Sequence, residues 1–384
     1  MSRSNASVHA EPPVSRGTVR QVSRIAAVAT ALPEHAYPQQ AITDMLAPMV
    51  AQDPRRQALM RRMHASARVT TRHLVLPLEE YRDALTFGQS NDRFVAEATG
   101  LAETAVRSAL LQAGIGADEV DLIVFTSVTG MSAPSVDALL VPRLGMRDDV
   151  KRMPMFGLGC VAGASGIARV NDFLEGQPDG VALLVSVELC SLTVQKDDDS
   201  MDNLVASGLF GDGAAAVVLV GAARAVCDGV QGPDVVASRS RLYPGSNGAI
   251  GFRPSETGFR VILTAGVVEV IDANFAADAT AFLADNGLGV PDVDTWIAHP
   301  GGPKVLDAFQ RGLALPDGAL DRSWASMAAA GNMSSSSVLH VLAAELAAPH
   351  HAQEYGLLFA LGPGVSAEFV LLRWPEPAEA LAAA

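Results

Sequence analysis

The sequence is short of the residues that staple a protein, anchor it in a membrane or attract it to polyanions. Its 384 residues include three cysteines, Cys160, Cys190 and Cys227. That is too few for a disulfide scaffold, and the odd count leaves at least one free thiol. A reducing, cytoplasmic setting fits. No stretch reaches 18 consecutive apolar residues, since even 181–187 is interrupted by Ser186 and closed by Glu188, so no membrane span and no stable membrane association are expected. Basic residues are in deficit, 28 against 42 acidic, for a formal charge of −14. Such a field repels phosphate backbones and argues against a nucleic-acid partner. An anionic substrate would need a local basic patch. The cysteines and histidines lack metal-ligand spacing, so no metal is expected. Charged residues make up only 18% and aromatics 5%, whereas apolar residues make up 49%, a composition far from the disordered class.

At about 150 residues per domain the length suggests two or three packed units. Short β-branched runs alternate with alanine-rich helical stretches, the pattern of an α/β protein with buried strands. Residues 120–126, 180–187 and 214–220 read as such strands. Two segments recur in the same order. Val120-Asp121-Leu122-Ile123-Val124 resembles Val293-Asp294-Thr295-Trp296-Ile297, and Gly211-Asp212-Gly213 with its apolar follow-on resembles Gly362-Pro363-Gly364. The reading is two homologous α/β halves joined near 222–240. Residues 23–230 form one half and 231–376 the other. Residues 1–22 lack the apolar core of a secretory signal and read as a disordered tail, and 377–384 as a short C-terminal tail.

Cys160 lies in a glycine-bounded turn, GLGCVAGASG (157–166), before a helical stretch. The positive end of a helix dipole there would lower the thiol pKa and raise the thiolate fraction. The same string loosely matches a dinucleotide fingerprint, but a thiol would lie where a pyrophosphate needs bare backbone. Of eight histidines, His299 has the most telling context. It follows an expected buried strand at 295–298 and opens Pro300-Gly301-Gly302-Pro303, and strand ends are where α/β sheets place ligands. Asn332 stands in GNMSSSSVL (331–339), just before another helical stretch. It is either a helix cap or an amide donor to a developing oxyanion.

Taken together, GLGCVAGASG, AHPGGPKVLD (298–307), GNMSSSSVL and LGPG (361–364) resemble the chalcone-synthase superfamily, the type III polyketide synthases of the thiolase fold. The resemblance runs in order from about residue 68 to 373 and is closest to bacterial alkylresorcinol and alkylpyrone synthases. It implies a five-layered αβαβα sandwich made of two duplicated halves. It also implies iterative decarboxylative condensation of malonyl-CoA, or a substituted malonyl-CoA, onto an acyl-CoA starter. Cys160 would carry the chain as a thioester, while His299 and Asn332 bind the thioester carbonyl and stabilise the enolate. The substrates are CoA thioesters, with no further cofactor. The enzyme would be a homodimer in which Ala133 reaches into the neighbouring cavity.

By the same resemblance Phe210 matches the gatekeeper phenylalanine between CoA tunnel and cavity. Thr193 and Ser334 join it as cavity residues, and Cys190 replaces a threonine of the plant members. Where those members have a second gatekeeper phenylalanine this chain has Val261, so the cavity is expected to lose a wall there. A smaller, more apolar lining suits a medium or long fatty acyl starter, at about 0.8 kcal/mol per buried CH₂, with an alkylresorcinol or alkylpyrone as product. CoA would be held by Arg62, on a basic helix expected at 54–64 with Arg55, Arg56 and Arg61 and followed by Arg68 and Arg72. Lys304, Gly301 and Gly302 would stand at the tunnel mouth.

Three other readings fit parts of the sequence. An initiating β-ketoacyl carrier-protein synthase shares the fold and the Cys/His/Asn set but condenses once per cycle. A papain-type hydrolase has comparable Cys, His and Asn spacing but needs a Cys-Gly-Ser-Cys-Trp signature that is missing here. A non-catalytic acyl-CoA-binding protein would not need all three residues.

Overall fold

A computed structural model describes residues 22–376 except 84 and 197. The expected tails thus lie outside the described residues, apart from Val22. Thirteen strands are described: β1 (Arg24–Ala31), β2 (His35–Pro38), β3 (Thr71–Leu74), β4 (Leu122–Thr126), β5 (Lys151–Met155), β6 (Val181–Leu189), β7 (Asp212–Val220), β8 (Asp234–Leu242), β9 (Ile250–Ser255), β10 (Gly258–Leu263), β11 (Thr295–Ala298), β12 (Tyr355–Gly362) and β13 (Ser366–Arg373). Nine of them run in the order β11-β12-β13-β8-β1-β7-β6-β4-β5.

That array is the same unit written twice. In the first, β4 pairs parallel with β6, β6 antiparallel with β7, and β7 antiparallel with β1. In the second, β11 pairs parallel with β12, β12 antiparallel with β13, and β13 antiparallel with β8. The units touch along the sheet at one register pair, Arg24↔Asp234. An ion pair of 2.7 Å between the same side chains reinforces it.

Strand periodicity turns this sheet into five layers, because successive side chains point to opposite faces. Leu183, Val185 and Val187 of β6 face an outer core with Ala98, Ala102 and Val106 of the helix Phe87–Ala113. Ala182 and Leu184 face the middle of the molecule. On β12, Leu357, Phe359 and Leu361 face the opposite outer core, with Phe275, Phe282 and Phe309, while Leu358 and Ala360 face inward. Between the two sheet halves lie the helices Ala162–Glu175 and Ser337–Leu346, buried almost all round. Helices that are buried on both sides need small residues at their crossings. A Cβ on Gly163 would stand 2.2 Å from the Ser335 carbonyl oxygen, and one on Gly166 2.5 Å from Leu184. This is why a cysteine turn runs into the string AGASG.

Candidate active site

Each middle helix begins beside the other, and the candidate residues sit at those starts. Cys160 lies in the single turn Gly159–Val161 that leads into the helix Ala162–Glu175. The Gly-Pro-Gly turn between β12 and β13 presses on it. A Cβ on Gly159 would meet Pro363 at 2.5 Å, and one on Gly362 would meet the Leu158 carbonyl oxygen at 2.4 Å. His299 follows β11, and its backbone N–H donates to the Phe359 carbonyl at 2.9 Å. Asn332 precedes the second middle helix and is tied into the chain around Phe210. Its N–H donates to the Leu209 carbonyl, and its own carbonyl accepts from Gly211.

These residues are linked by hydrogen bonds. Asn332 Nδ2 donates to the Gly301 carbonyl at 3.2 Å, and Gly301 N–H donates back to the His299 carbonyl at 2.8 Å. The Asn332 amide also favours the charged form of the Cys160 sulfur. The thiol donates to Ser334 Oγ at 3.6 Å, and Ser334 has a left-handed backbone, φ 46°, of the kind that concentrates at functional sites. The serine run then reads position by position. Ser335 donates to Glu188, Ser336 Oγ meets Ser186 Oγ at 2.8 Å, and Ser337 Oγ accepts from Met333 N–H at 2.6 Å. Glu188 is fully buried and also accepts from Val128 N–H and from the Ser127 and Thr129 hydroxyls.

Burial dominates the electrostatics. The Cys160 thiol is pushed up to about 12, chiefly by desolvation, with the Ser334 and Asn332 hydrogen bonds pulling the other way. Burial thus opposes the lowering expected at the helix start, because taking a thiolate out of water disfavours its charged form. Desolvation also lowers His299 to about 3, so its imidazole is neutral. Among the described residues, neither ring nitrogen has a hydrogen-bond partner. A buried group so placed is poised for a partner that arrives with substrate.

A cavity opens beside Ser334. Phe210, Cys190, Thr193, Val261 and Ser334 all line it, as five of the six expected pocket residues. Ala133 does not line it. It is exposed, in a loop with a cis peptide before Pro134. The missing wall at Val261 is also corrected. Val261 of β10 pairs in register with Phe252 of β9, and both Phe252 and Phe259 line the cavity. Phe259 packs edge-on to Phe87, with ring centroids 5.1 Å apart. The sequence did not reveal this because the aromatic comes from the neighbouring strand. Arg72, Tyr81, Ser191 and Asn203 are further lining residues that went unnoticed or were misplaced.

The basic cluster is split by the fold. The helix Pro54–Ser66 forms, capped by Asp53, and Arg62 is exposed on it, as is Arg55. Arg61 pairs with Asp44, Arg56 with Asp199 at 3.4 Å, and Arg68 stacks over Trp324 at 4.6 Å. Arg72 leaves the surface altogether, at 3% exposure. Lys304 is exposed in the first turn of the helix Pro303–Gly312, next to Gly301 and Gly302. Among the described residues no helix is long and apolar enough to cross a membrane, and no group of metal-ligating side chains gathers.

Two duplicated α/β halves enclosing a buried cysteine, an unpartnered imidazole and an amide define a thiolase-like condensing enzyme. The domain models of chalcone and stilbene synthases match residues 14–224 (N-terminal domain) and 234–375 (C-terminal domain). The chain belongs to that family, and it is a type III polyketide synthase, an acyltransferase that acts on CoA thioesters without further cofactor. It is 50% identical over 363 residues to a 1,3,6,8-tetrahydroxynaphthalene synthase of Streptomyces peucetius subsp. caesius, covering 94% of each chain. A putative chalcone synthase of Bacillus subtilis is 34% identical over 321 residues, covering 82% of this chain and 88% of the relative. The crystal structure of 1,3,6,8-tetrahydroxynaphthalene synthase from Streptomyces coelicolor A3(2) superposes with a TM-score of 0.86 at 29% identity, covering 92% of this chain and 99% of that one.

Proposed function

We propose that this synthase primes itself with malonyl-CoA and extends with malonyl-CoA to a polyhydroxynaphthalene of the kind named for its 50%-identical relative. A naphthalene oxygenated on alternate carbons is what two-carbon units give when no alkyl starter is carried. Within a mostly apolar lining, Arg72, Tyr81, Ser191, Thr193, Asn203 and Ser334 offer polar groups to a poly-β-ketone. A fatty acyl starter, expected from the sequence, remains the second reading. Ile42, Met45 and Leu46 line the same cavity and suit a short alkyl chain.

In this mechanism Cys160 Sγ attacks the primer thioester and CoA leaves. An extender malonyl group then loses carbon dioxide, and its enolate attacks the Cys160 thioester carbonyl. A carbon–carbon bond forms and the sulfur is released for the next cycle. Asn332 Nδ2 and an N–H of the neutral His299 ring meet the enolate oxygen in a site closed to water. The observation that carries this assignment is the buried imidazole with both nitrogens unpartnered. Arg62 and Lys304 hold CoA phosphates outside, with Gly301 and Gly302 at the tunnel mouth and Phe210 between tunnel and cavity. The enzyme acts as a homodimer, with Ala133 and the exposed Met131 and Phe156 facing the second copy.

Mass spectrometry of products from malonyl-CoA alone, without carrier protein, tests the reading. A tetrahydroxynaphthalene or its oxidation product is expected. Product formation only when a fatty acyl-CoA is supplied would select the second reading, and a strict carrier-protein requirement would overturn both.

A further inference from the structure

A malonyl-primed synthase faces a selection problem, because one compound must meet two fates. Extender units lose their carboxylate, whereas a primer that loses it becomes a plain acetyl group. We propose that Arg72 is the primer-selecting residue: its Nη2 takes up the free carboxylate at the end of a malonyl-primed chain and retains it through elongation, the carboxylate leaving as carbon dioxide only on ring closure, so that five malonyl units give the ten-carbon naphthalene. This rests on the malonyl-primer reading above.

Arg72 sits on β3 and lines the cavity alongside Cys190, Ser191 and Ser334. Three of its donor contacts are fixed. Nε donates to Gln39 Oε1 at 2.8 Å, and Nη1 donates to the Ser207 and Phe210 carbonyls, each at 2.8 Å. None of these partners is a carboxylate, and Nη2 has no partner although it is buried. The same signature marks His299. The nearby carboxylate, Asp212, acts on Arg72 through space, but its oxygens accept from Val75 N–H and from Ser191. The guanidinium is lowered by burial only to about 10, so it stays cationic at neutral pH. A buried cation with a free planar donor is the chemistry that recognises a carboxylate. Pairing also protects it. Decarboxylation drains charge from the carboxylate into the new enolate, so a partner that holds the ground-state charge in a low dielectric raises that barrier.

The test follows primer choice at fixed malonyl-CoA with hexanoyl-CoA as competitor. In Arg72→Met the ratio of malonyl-primed to hexanoyl-primed product should fall about 10- to 100-fold, the range for one charge-assisted hydrogen bond. A general loss of turnover would lower both products alike and leave this ratio unmoved. Intact-mass analysis should show the Cys160 adduct shifting from malonyl to acetyl. An unchanged ratio in a folded Arg72→Met would overturn the role. Should that variant fail to fold, for want of the Ser207 and Phe210 contacts, the wild-type enzyme decides. Cys160 loading from malonyl-CoA should exceed loading from its neutral carboxamide analogue about 10-fold, and equal loading refutes the proposal. If wild type makes naphthalene product from malonyl-CoA while these ratios stay flat, only Arg72's role falls. If it makes none, the primer reading itself falls.

Discussion

The two halves of the molecule have the same strand pairing and the same buried middle helix, yet they bring opposite things to the site. The first supplies Cys160 at its helix start, and in its loop after β4 Ser127, Val128 and Thr129 all hydrogen-bond Glu188. The second supplies Asn332 before its helix, and after β11 it leaves His299 with no side-chain partner. Duplication set the positions, and the Glu188 hydrogen bonds distinguish the first loop from the one that carries His299. Where the polar groups are satisfied the loop holds shape, and where they are not it is open to substrate.

Breaking the first half should have the largest effect. Cys160→Ala should abolish both covalent loading and product, measured by intact mass and by radiolabelled malonyl incorporation; sustained elongation would remove the sulfur from the mechanism. Breaking the second half should separate the steps. Asn332→Ala should still load Cys160 but lose about 10²–10³ in carbon dioxide release from malonyl-CoA, and equal loss of loading would merge the two roles.

The seam between the halves comes next. Gly163→Ala puts a methyl 2.2 Å from the Ser335 carbonyl and should cost about 1–3 kcal/mol. Gly248→Ala meets nothing within 4 Å and serves as the control. Equal melting temperatures for the two variants would show that the seam is loose.

The smallest effect is on pH dependence. His340, on the second middle helix, donates from Nε2–H to the Ala214 carbonyl at 3.0 Å and is lowered by burial to about 4. Between about 4 and the unfolded value near 6.5 the unfolded chain binds a proton that the native state does not. Its stability contribution is therefore complete above about 6.5 and is lost as pH falls towards 4, by at most about 1.4 kcal/mol per pH unit. Asp212, raised to about 6 by burial, has the opposite sign and offsets part of the slope. Denaturation midpoints at several pH values should show a shallower fall for His340→Gln than for wild type, and parallel curves would refute it.

Much of the fold was legible because buried parallel strands leave continuous apolar runs such as 181–187, and a duplicated unit leaves paired echoes at β4 and β11. The cysteine, histidine and asparagine were legible through glycine turns, since close approach to another backbone demands glycine at Gly159 and Gly163. The cavity wall was not. Phe252 faces the pocket only because β9 folds against β10, and Arg72 counted as surface because a run of arginines looks solvated until β3 carries one of them inward.

By itself, then, the sequence determined the two halves and the glycine turns at the helix starts, which follow from local periodicity and backbone permission. Only the tertiary structure decided that burial pushes the thiol up, that an aromatic pair lines the cavity beside Val261, and that one arginine is buried with a donor unpartnered among the described residues. Each of those depends on how much water the packed neighbours exclude, which no stretch of chain specifies alone.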